Sequence, residues 1–475
     1  MTTATLENSQ QTAAESKFEW PLCYDAENFI IGRIDAFTQQ NTFARELSRR
    51  MRDETGTLIL DWIDFVLLPA SDEKEARSVG FTEDPLADAP PGQKQLWHPE
   101  AMLPRVLIAR SNAKQPLAAG IRADDVAFFA GVHGLTNEIE GAPLSRYRWL
   151  SISNENGAHF GAIERRGYRG YLPKDSDPNA YLAARELWQT RRRRWEDDRA
   201  GMRDGLQRIA EMVELVGRDL ACHLVFEEER RYWQKRNRAG TEQKRRQDLL
   251  GLGWANHDHH TFRSSRACFV DLIKAWELLG FRRRERYYAG AEAGWGAQVI
   301  EQPVEGITIF NDVDLNREEV EIDFSRKPLP PQPELGTIGL WCGLHGESFL
   351  EAGMHHLECR FDFTLLRDQL KAEGINTMEP FSDFPFLKQA FTEGERWPVR
   401  RARAERLLKN GSITQTQFDE FMSKGAIGSH LENLQRWGGF KGFNQDAVSV
   451  IIAETDPRKQ PEGAVVSREK DTPHF

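Results

Sequence analysis

Imidazole and guanidinium recur together in this chain at a spacing suited to a metal centre. If the run Asn256-His257-Asp258-His259-His260-Thr261-Phe262-Arg263 is extended, His257, His259, Thr261 and Arg263 share one face and Asp258, His260 and Phe262 the other, because successive side chains of a strand alternate. About a hundred residues later, Met354-His355-His356-Leu357-Glu358-Cys359-Arg360 again sets a histidine four places before an arginine. Two such histidines and one carboxylate on a late strand make a face that holds a divalent metal and leaves positions open for substrate and oxygen, as in non-haem Fe(II) oxygenases. The ligands must be neutral imidazole and ionised carboxylate, so metal binding weakens in acid. An arginine on the histidine face can fork a substrate carboxylate.

The elements that position these residues follow from periodicity. Each motif leads into an amphipathic helix. The first, over 266–279, carries Phe269, Leu272, Ile273, Trp276 and Leu279 and stops at Gly280-Phe281; the second, over 364–373, buries Leu366 and Leu370 and stops at Gly374-Ile375. A histidine strand, a helix and further strands, given twice, predict an internal repeat that sets the two first strands side by side. Strands are predicted at 284–289, 297–301 and 306–310, a polyproline-like linker at 327–333, a charged helical insertion at 388–424, and closing strands at 428–436 and 446–452. Cys359 falls on the face away from His356, and His345-Gly346-Glu347-Ser348 reads as a surface turn. Residues 290–296 lack the strand-and-helix frame of a dinucleotide cradle and read as a loop beside the site.

The rest of the chain divides by composition into a polar lead-in at 1–17, an α+β N-terminal domain at 18–177, a charged helical connector at 178–250, the metal-binding domain at 251–457 and a polar tail at 458–475. In the N-terminal domain a helical pattern runs over 26–53 and a buried strand over 58–68 ends at Pro69. Residues 71–99 read as a surface loop, and strands or short helices are predicted at 106–109, 126–130 and 147–152. In the connector, helices are predicted at 181–195, 202–225 and 227–250; Arg191-Arg192-Arg193-Arg194, followed by Glu196, Asp197 and Asp198, reads as a solvated helix face.

With 475 residues, 63 Lys and Arg against 73 Asp and Glu, and a net charge of -10, the chain is no general nucleic-acid binder. Five cysteines (Cys23, Cys222, Cys268, Cys342 and Cys359) without a C-x-x-C argue against a zinc ribbon or a disulfide framework and for a reducing compartment. With neither a basic-then-apolar leader in 1–20 nor a long apolar run, a soluble cytoplasmic protein without a membrane partner is expected.

The order His259-x-x-x-Arg263, His356-Leu357-x-x-Arg360, Gly428-Ser429-His430-Leu431-Glu432 with Arg436, then Ala447-Val448-Ser449 resembles the 2-oxoadipate dioxygenase/decarboxylase (2-hydroxyglutarate synthase) family of the vicinal oxygen chelate superfamily. The resemblance covers about residues 252–457. It implies an α+β fold with paired vicinal-oxygen-chelate-like βαβββ modules in the C-terminal half, and Fe(II) held by two histidines and a glutamate. It also implies a 2-oxo acid chelating the metal, with O2 at a remaining position. Carried across by position, His259 and His356 are the histidine ligands, Glu432 the carboxylate and Arg263 the catalytic substrate clamp; the backbone at Val448 and Ser449 lines the substrate site. His260 and His355 are the adjacent alternatives, and Glu164 and Glu454 remain further carboxylate candidates, with chain order favouring Glu432. The first 250 or so residues and the charged stretch 388–424 lie outside the family's pattern.

The activity implied is Fe(II)-dependent oxidative decarboxylation of a 2-oxoadipate-like acid to a hydroxy acid. Two other readings stand beside it. One is a metal-dependent isomerase or lyase on the same scaffold, using Mn or Zn; the other is a non-catalytic ligand-binding protein whose charged helices meet a partner.

Overall fold

In the computed structural model, residues 19–86, 88–110, 118–290, 293–445, 452 and 455–459 are described. The lead-in expected at 1–17, most of the tail, and all but Ile452 of the closing strand expected at 446–452 fall outside them, as do Val448, Ser449 and Glu454.

The helical pattern over 26–53 is two helices, α1 (Tyr24–Gln40) and α2 (Thr42–Thr55). Asn41 divides them, because its side chain accepts the Ala44 N–H at 2.9 Å and so caps α2. The buried run before Pro69 begins as a 3-10 turn and becomes β1 (Ile63–Leu68). The stretch 71–99 is not one loop: it supplies α3 (Glu73–Ser78), β2 (Thr82–Glu83) and β3 (Lys94–Trp97), pieces too short to show a period. Then follow β4 (Arg105–Ile108), β5 (Ala118–Arg122), α4 (Val126–Val132), β6 (Ile139–Glu140), β7 (Tyr147–Glu155) and β8 (Ala158–Arg165).

The connector is α5 (Pro178–Gln189), α6 (Asp198–Val216), α7 (Arg218–Gln234) and α8 (Arg238–Asp248). The arginine run lies between α5 and α6 and is no solvated helix face. Arg191 and Arg193 both pair with the buried Glu229 of α7, at 2.9 and 2.8 Å, because a buried carboxylate needs partners.

The second half contains β9 (His257–Arg263), α9 (Phe269–Leu278), β10 (Arg282–Tyr288), β11 (Trp295–Gln302), β12 (Ile307–Asp314), α10 (Thr337–His345), β13 (His356–Arg360) and α11 (Phe363–Ala372). It continues with β14 (Ser382–Phe384), β15 (Leu387–Phe391), β16 (Glu395–Trp397), α12 (Arg401–Lys409), α13 (Gln415–Lys424) and β17 (Ala426–Arg436). The stretch 388–424 is therefore helical only in its later part: β15 belongs to the main sheet, its Leu387, Gln389 and Phe391 alternating with Lys388 and Ala390.

The strand order of the second sheet is β10-β11-β12-β9-β13-β17-β15-β14, with β16 paired to β17. β9 runs parallel to β12 and β13 to β17; β9 and β13 meet antiparallel at the centre. These are two βαβββ modules joined through their first strands, the vicinal-oxygen-chelate arrangement expected of the C-terminal half. The first sheet, β2-β3-β4-β1-β5-β8-β7-β6, repeats the same plan: β1 is parallel to β4, β5 to β8, and β1 antiparallel to β5. The expectation of an α+β N-terminal region did not reach this far, since β2 and β6 are two residues each.

Helices pack against both sheets, and α10 lies against Trp295, Ala297 and Val299 on the side of the second sheet away from α9. On the second, Phe262, Ile309, Leu357, Cys359 and Leu431 pack with residues of α6, α7 and α9, which leaves the alternate residues of the same strands for the opposite face. On the first sheet the face away from α1 and α2 is filled by Phe65, Leu107, Tyr147, Trp149, Ile163 and Tyr171. The buried Asp64 of the central strand β1 accepts hydrogen bonds from Arg105, Arg122 and Arg165 at 2.7–3.0 Å. Two of the ties between the halves lie next to the donor strands. Leu250, Leu252 and Ala255 complete the core of the first sheet just before β9 begins, and the Glu27 carboxylate of α1 accepts the N–H groups of Gly438 and Gly439 just beyond β17.

Candidate metal centre

Three adjacent strands bring His259, His356 and Glu432 together on the face away from α6, α7 and α9, and their donor atoms all lie within 4.8 Å of one another. Glu432 Oε2 stands 3.1 Å from His356 Nε2 and 3.7 Å from His259 Nε2. Ligands in cis positions around an octahedral ion, each about 2.1 Å from it, lie about 3.0 Å apart, and the Glu432–His356 pair already has that spacing. All three residues are buried.

The register explains who faces whom. β13 and β17 are parallel with His356 beside His430 and Glu358 beside Glu432, while β9 and β13 are antiparallel with His259 beside Glu358. Glu358 therefore joins the cluster, its Oε1 2.9 Å from His259 Nδ1, the ring nitrogen away from Glu432. Asp258 Oδ1 lies 3.4 Å from the same nitrogen, and Asp258 is held by Arg436 at 2.6 Å. Alternation would have put Asp258 on the far face and His257 beside His259. Instead the pairing of β9 with β13 shifts register at Cys359, and the His257 ring packs 5.2 Å from that of His260. Asp258, His259 and Glu358 form a second group of donors.

The electrostatics suit a cation. Burial raises Glu432 above the usual carboxylate range, and burial and then Glu432 push Glu358 well above it. Burial, then His259, holds His356 well below the usual imidazole value, in its ligand form. Burial also opposes a proton on His259, but Glu358, Asp258 and Glu432 outweigh it and hold the ring at about 10. Crowded buried carboxylates around two imidazoles are a donor set that a divalent ion would neutralise.

Other sequence candidates fall elsewhere. His260 faces the helices, 3.5 Å from Arg230 and 5.3 Å from the Phe226 ring. His355 lies against Trp341 and His430, with Nδ1 3.1 Å from His356 Nδ1. Glu164 is on the helix-covered side of the first sheet, where it accepts from the Val126 N–H and pairs with Arg148 and Arg166. The stretch from His345 to Ser348 is no surface turn: Glu347 accepts from Ser264 and Ser265, and Ser348 Oγ accepts the Arg263 N–H at 2.9 Å. Gly428 of the Gly-Ser-His-Leu-Glu motif is where Trp397 crosses β17, as a Cβ there would lie 2.0 Å from the indole.

The donors open into a cleft of about 430 Å3, its mouth included. His259, His356, Glu432, Thr261, Gln389 and Asp312 supply its polar lining. The rest is Tyr287, Trp295, Phe310, Phe381, Phe391 and Phe443, with Ile452 beside them. Arg263 shares the face of His259 but lies behind this lining, fully buried, and its guanidinium makes no hydrogen bond among the described residues. Its ion pair is with Asp312, at 4.0 Å. Burial lifts Asp312 to about 7, against the pull of Arg263 and His259.

Three features escaped sequence reasoning. Glu358 follows His356 by two residues and so shares its face, which was a signal within the motif itself. Asp312 and the aromatic walls come from strands whose register only the folded sheet shows.

No family model matches this chain, and no curated protein does. Among solved structures, a triple mutant of 4-hydroxymandelate synthase from Streptomyces coelicolor is similar over 85% of this chain and 100% of that one, at 12% identity and a TM-score of 0.28. A xylose isomerase-like TIM barrel/4-hydroxyphenylpyruvate dioxygenase fusion protein is similar over 90% of this chain and 58% of that one, at 10% identity and 0.26. Methylmalonyl-CoA epimerase from Mycobacterium tuberculosis is similar over 38% of this chain and 88% of that one, at 12% identity and 0.22. Likenesses this remote carry no argument about the chemistry of this chain. Among the described residues, no helix is long and apolar enough to cross a membrane.

Proposed function

We propose that this protein is an Fe(II)-dependent dioxygenase that oxidatively decarboxylates a 2-oxo acid to the hydroxy acid one carbon shorter. The observation that carries the reading is the trio of His259 Nε2, His356 Nε2 and Glu432 Oε2 in the lining of a cleft with aromatic walls. Three protein donors on one side leave the other side for small ligands, which is the arrangement suited to Fe(II) and oxygen. The resemblance to the 2-oxoadipate dioxygenase/decarboxylase family points the same way. The overall change balances: one O2 and one 2-oxo acid become one CO2 and one 2-hydroxy acid.

His259, His356 and Glu432 would hold Fe(II), which would supply the activation of O2 and of the 2-oxo acid. The chain's own residues do the rest. Asp258 Oδ1 accepts a hydrogen bond from His259 Nδ1 at 3.4 Å and Glu358 Oε1 stands 2.9 Å from the same nitrogen, so the two carboxylates fix the tautomer that offers Nε2. Gln389 donates to Glu432 Oε1 at 3.1 Å and to Glu358 Oε2 at 3.3 Å, holding both carboxylates in place. Phe310, Phe391 and Phe443 exclude water from the reacting end. Arg263 and Asp312 stand beyond Thr261, where the far end of the acid would lie.

The test is protein prepared without oxygen, loaded with Fe(II), and given 2-oxo acids while O2 uptake and CO2 release are followed. Equimolar O2 consumed and CO2 released, abolished by a chelator and restored by iron, is the expected result. Turnover without oxygen would instead identify an isomerase or lyase on this scaffold, and protein that retains no metal would leave a binding protein.

A further inference from the structure

The far wall of the cleft bears on what the substrate's tail can be. Asp312 lines the cleft and stands opposite Arg263 in the pairing of β12 with β9. Arg263 does not line it; it sits fully buried behind, over the face of Trp341 at 5.5 Å, with Asp312 as its ion-pair partner. A ligand entering past the trio therefore meets the carboxylate, not the guanidinium. The lining of the cleft also includes Phe310, Phe381, Phe443, Tyr287 and Trp295, and Tyr287 donates its hydroxyl hydrogen to Gln445 O.

We propose that Asp312 is a specificity-determining residue: it reserves Arg263 and so selects 2-oxo acids whose side chain ends in an apolar group over those ending in a carboxylate. The proposal rests on the reaction proposed above. A tail carboxylate would come to rest beside the Asp312 carboxylate in a water-poor cleft, where like charges repel strongly and an unpaired ion is costly. A methyl or aryl end meets the phenylalanines instead. Discrimination thus comes from repelling one class as much as from attracting the other.

The test uses two acids of equal chain length, 2-oxohexanoate and 2-oxoadipate, which differ in ending in a methyl or a carboxylate. At pH 8, where Asp312 carries its charge, the iron-loaded wild type should favour 2-oxohexanoate by at least about a hundred-fold in kcat/KM, with the same order in anaerobic calorimetric binding. Asp312→Asn releases Arg263 to the dicarboxylate and should move that ratio toward 2-oxoadipate by about a hundred-fold or more. Adding Arg263→Met to Asp312→Asn should erase the gain. A wild-type preference for 2-oxoadipate, or a ratio that Asp312→Asn leaves unmoved, overturns the proposal. Should the single variant not fold, the double variant, which leaves no unpaired buried charge, and the wild-type ratio decide it. Binding of the apolar acid in preference, with no turnover of either, would sink the reaction and leave the role of Asp312 standing; binding of neither acid would sink both.

Discussion

Glu358→Gln and Glu432→Gln remove the same charge from neighbouring strands, and the geometry assigns them different costs. Glu432 reaches toward the Nε2 atoms of both histidines, at 3.1 and 3.7 Å, whereas Glu358 approaches His259 from behind, at Nδ1, 2.9 Å away. As a ligand, Glu432 would carry roughly a quarter to a third of the binding energy of a site worth about 10–16 kcal/mol, so its loss should weaken metal binding by at least two to three orders of magnitude. As an orienting partner, Glu358 should cost about 10–100-fold, or about 1.4–2.7 kcal/mol. The assay is anaerobic competition with a chelator of known affinity, alongside the absorption spectrum of the Co(II)-loaded forms. Glu358→Gln should keep the wild-type spectrum at reduced affinity, and Glu432→Gln should lose it. If Glu432→Gln binds metal as the wild type does while Glu358→Gln does not, the ligand is Glu358, and the grouping of Asp258, His259 and Glu358 becomes the site.

Asp64→Asn should destabilise the protein by about 3–5 kcal/mol at pH 7, because it strands three arginines around a buried position. Burial opposes the charge of Asp64, but Arg105, Arg165 and Arg122 outweigh it and hold the carboxyl well below the usual range. That contribution is present above about pH 4 and is lost as pH falls through the folded value, so the gap measured by urea denaturation should narrow in acid; a difference under about 1 kcal/mol at pH 7 would refute the role. Gly428→Ala drives a methyl into the Trp397 ring, 2.0 Å away, at a cost of about 1–3 kcal/mol. The shift of β17 should lower metal affinity as well as the melting temperature, and unchanged values in both would show that the indole can move aside.

Much of the second sheet was legible because its motifs are local. A histidine four places before an arginine marked β9 and β13, and apolar spacing followed by glycine marked α9 and α11 to within a few residues. The partners of those motifs were less legible. Asp258 and His257 exchanged faces because of a register shift that depends on β13, a hundred residues away. The cleft gathers Tyr287, Phe310, Phe391 and Phe443 from four separate segments, and no single stretch announces it. The first sheet escaped notice for the opposite reason. Its strands are short, and Phe65, Trp149 and Tyr171 occupy the face where chemistry would have left histidines.

Two ties between the halves make the first sheet a mechanical foundation for the second. Leu250, Leu252 and Ala255 are anchored in its core, and the next residues of the chain are β9, with His259 seven residues beyond Leu252. At the other end, Glu27 grips Gly438 and Gly439, six and seven residues past Glu432. A load applied to the first sheet, whether a binding partner or a destabilising substitution, would be transmitted to the ends of two donor strands at once. Distortion there changes the separation of His259 and Glu432 without touching either, so a half of the molecule that contributes no donor to the trio still sets how tightly the trio closes.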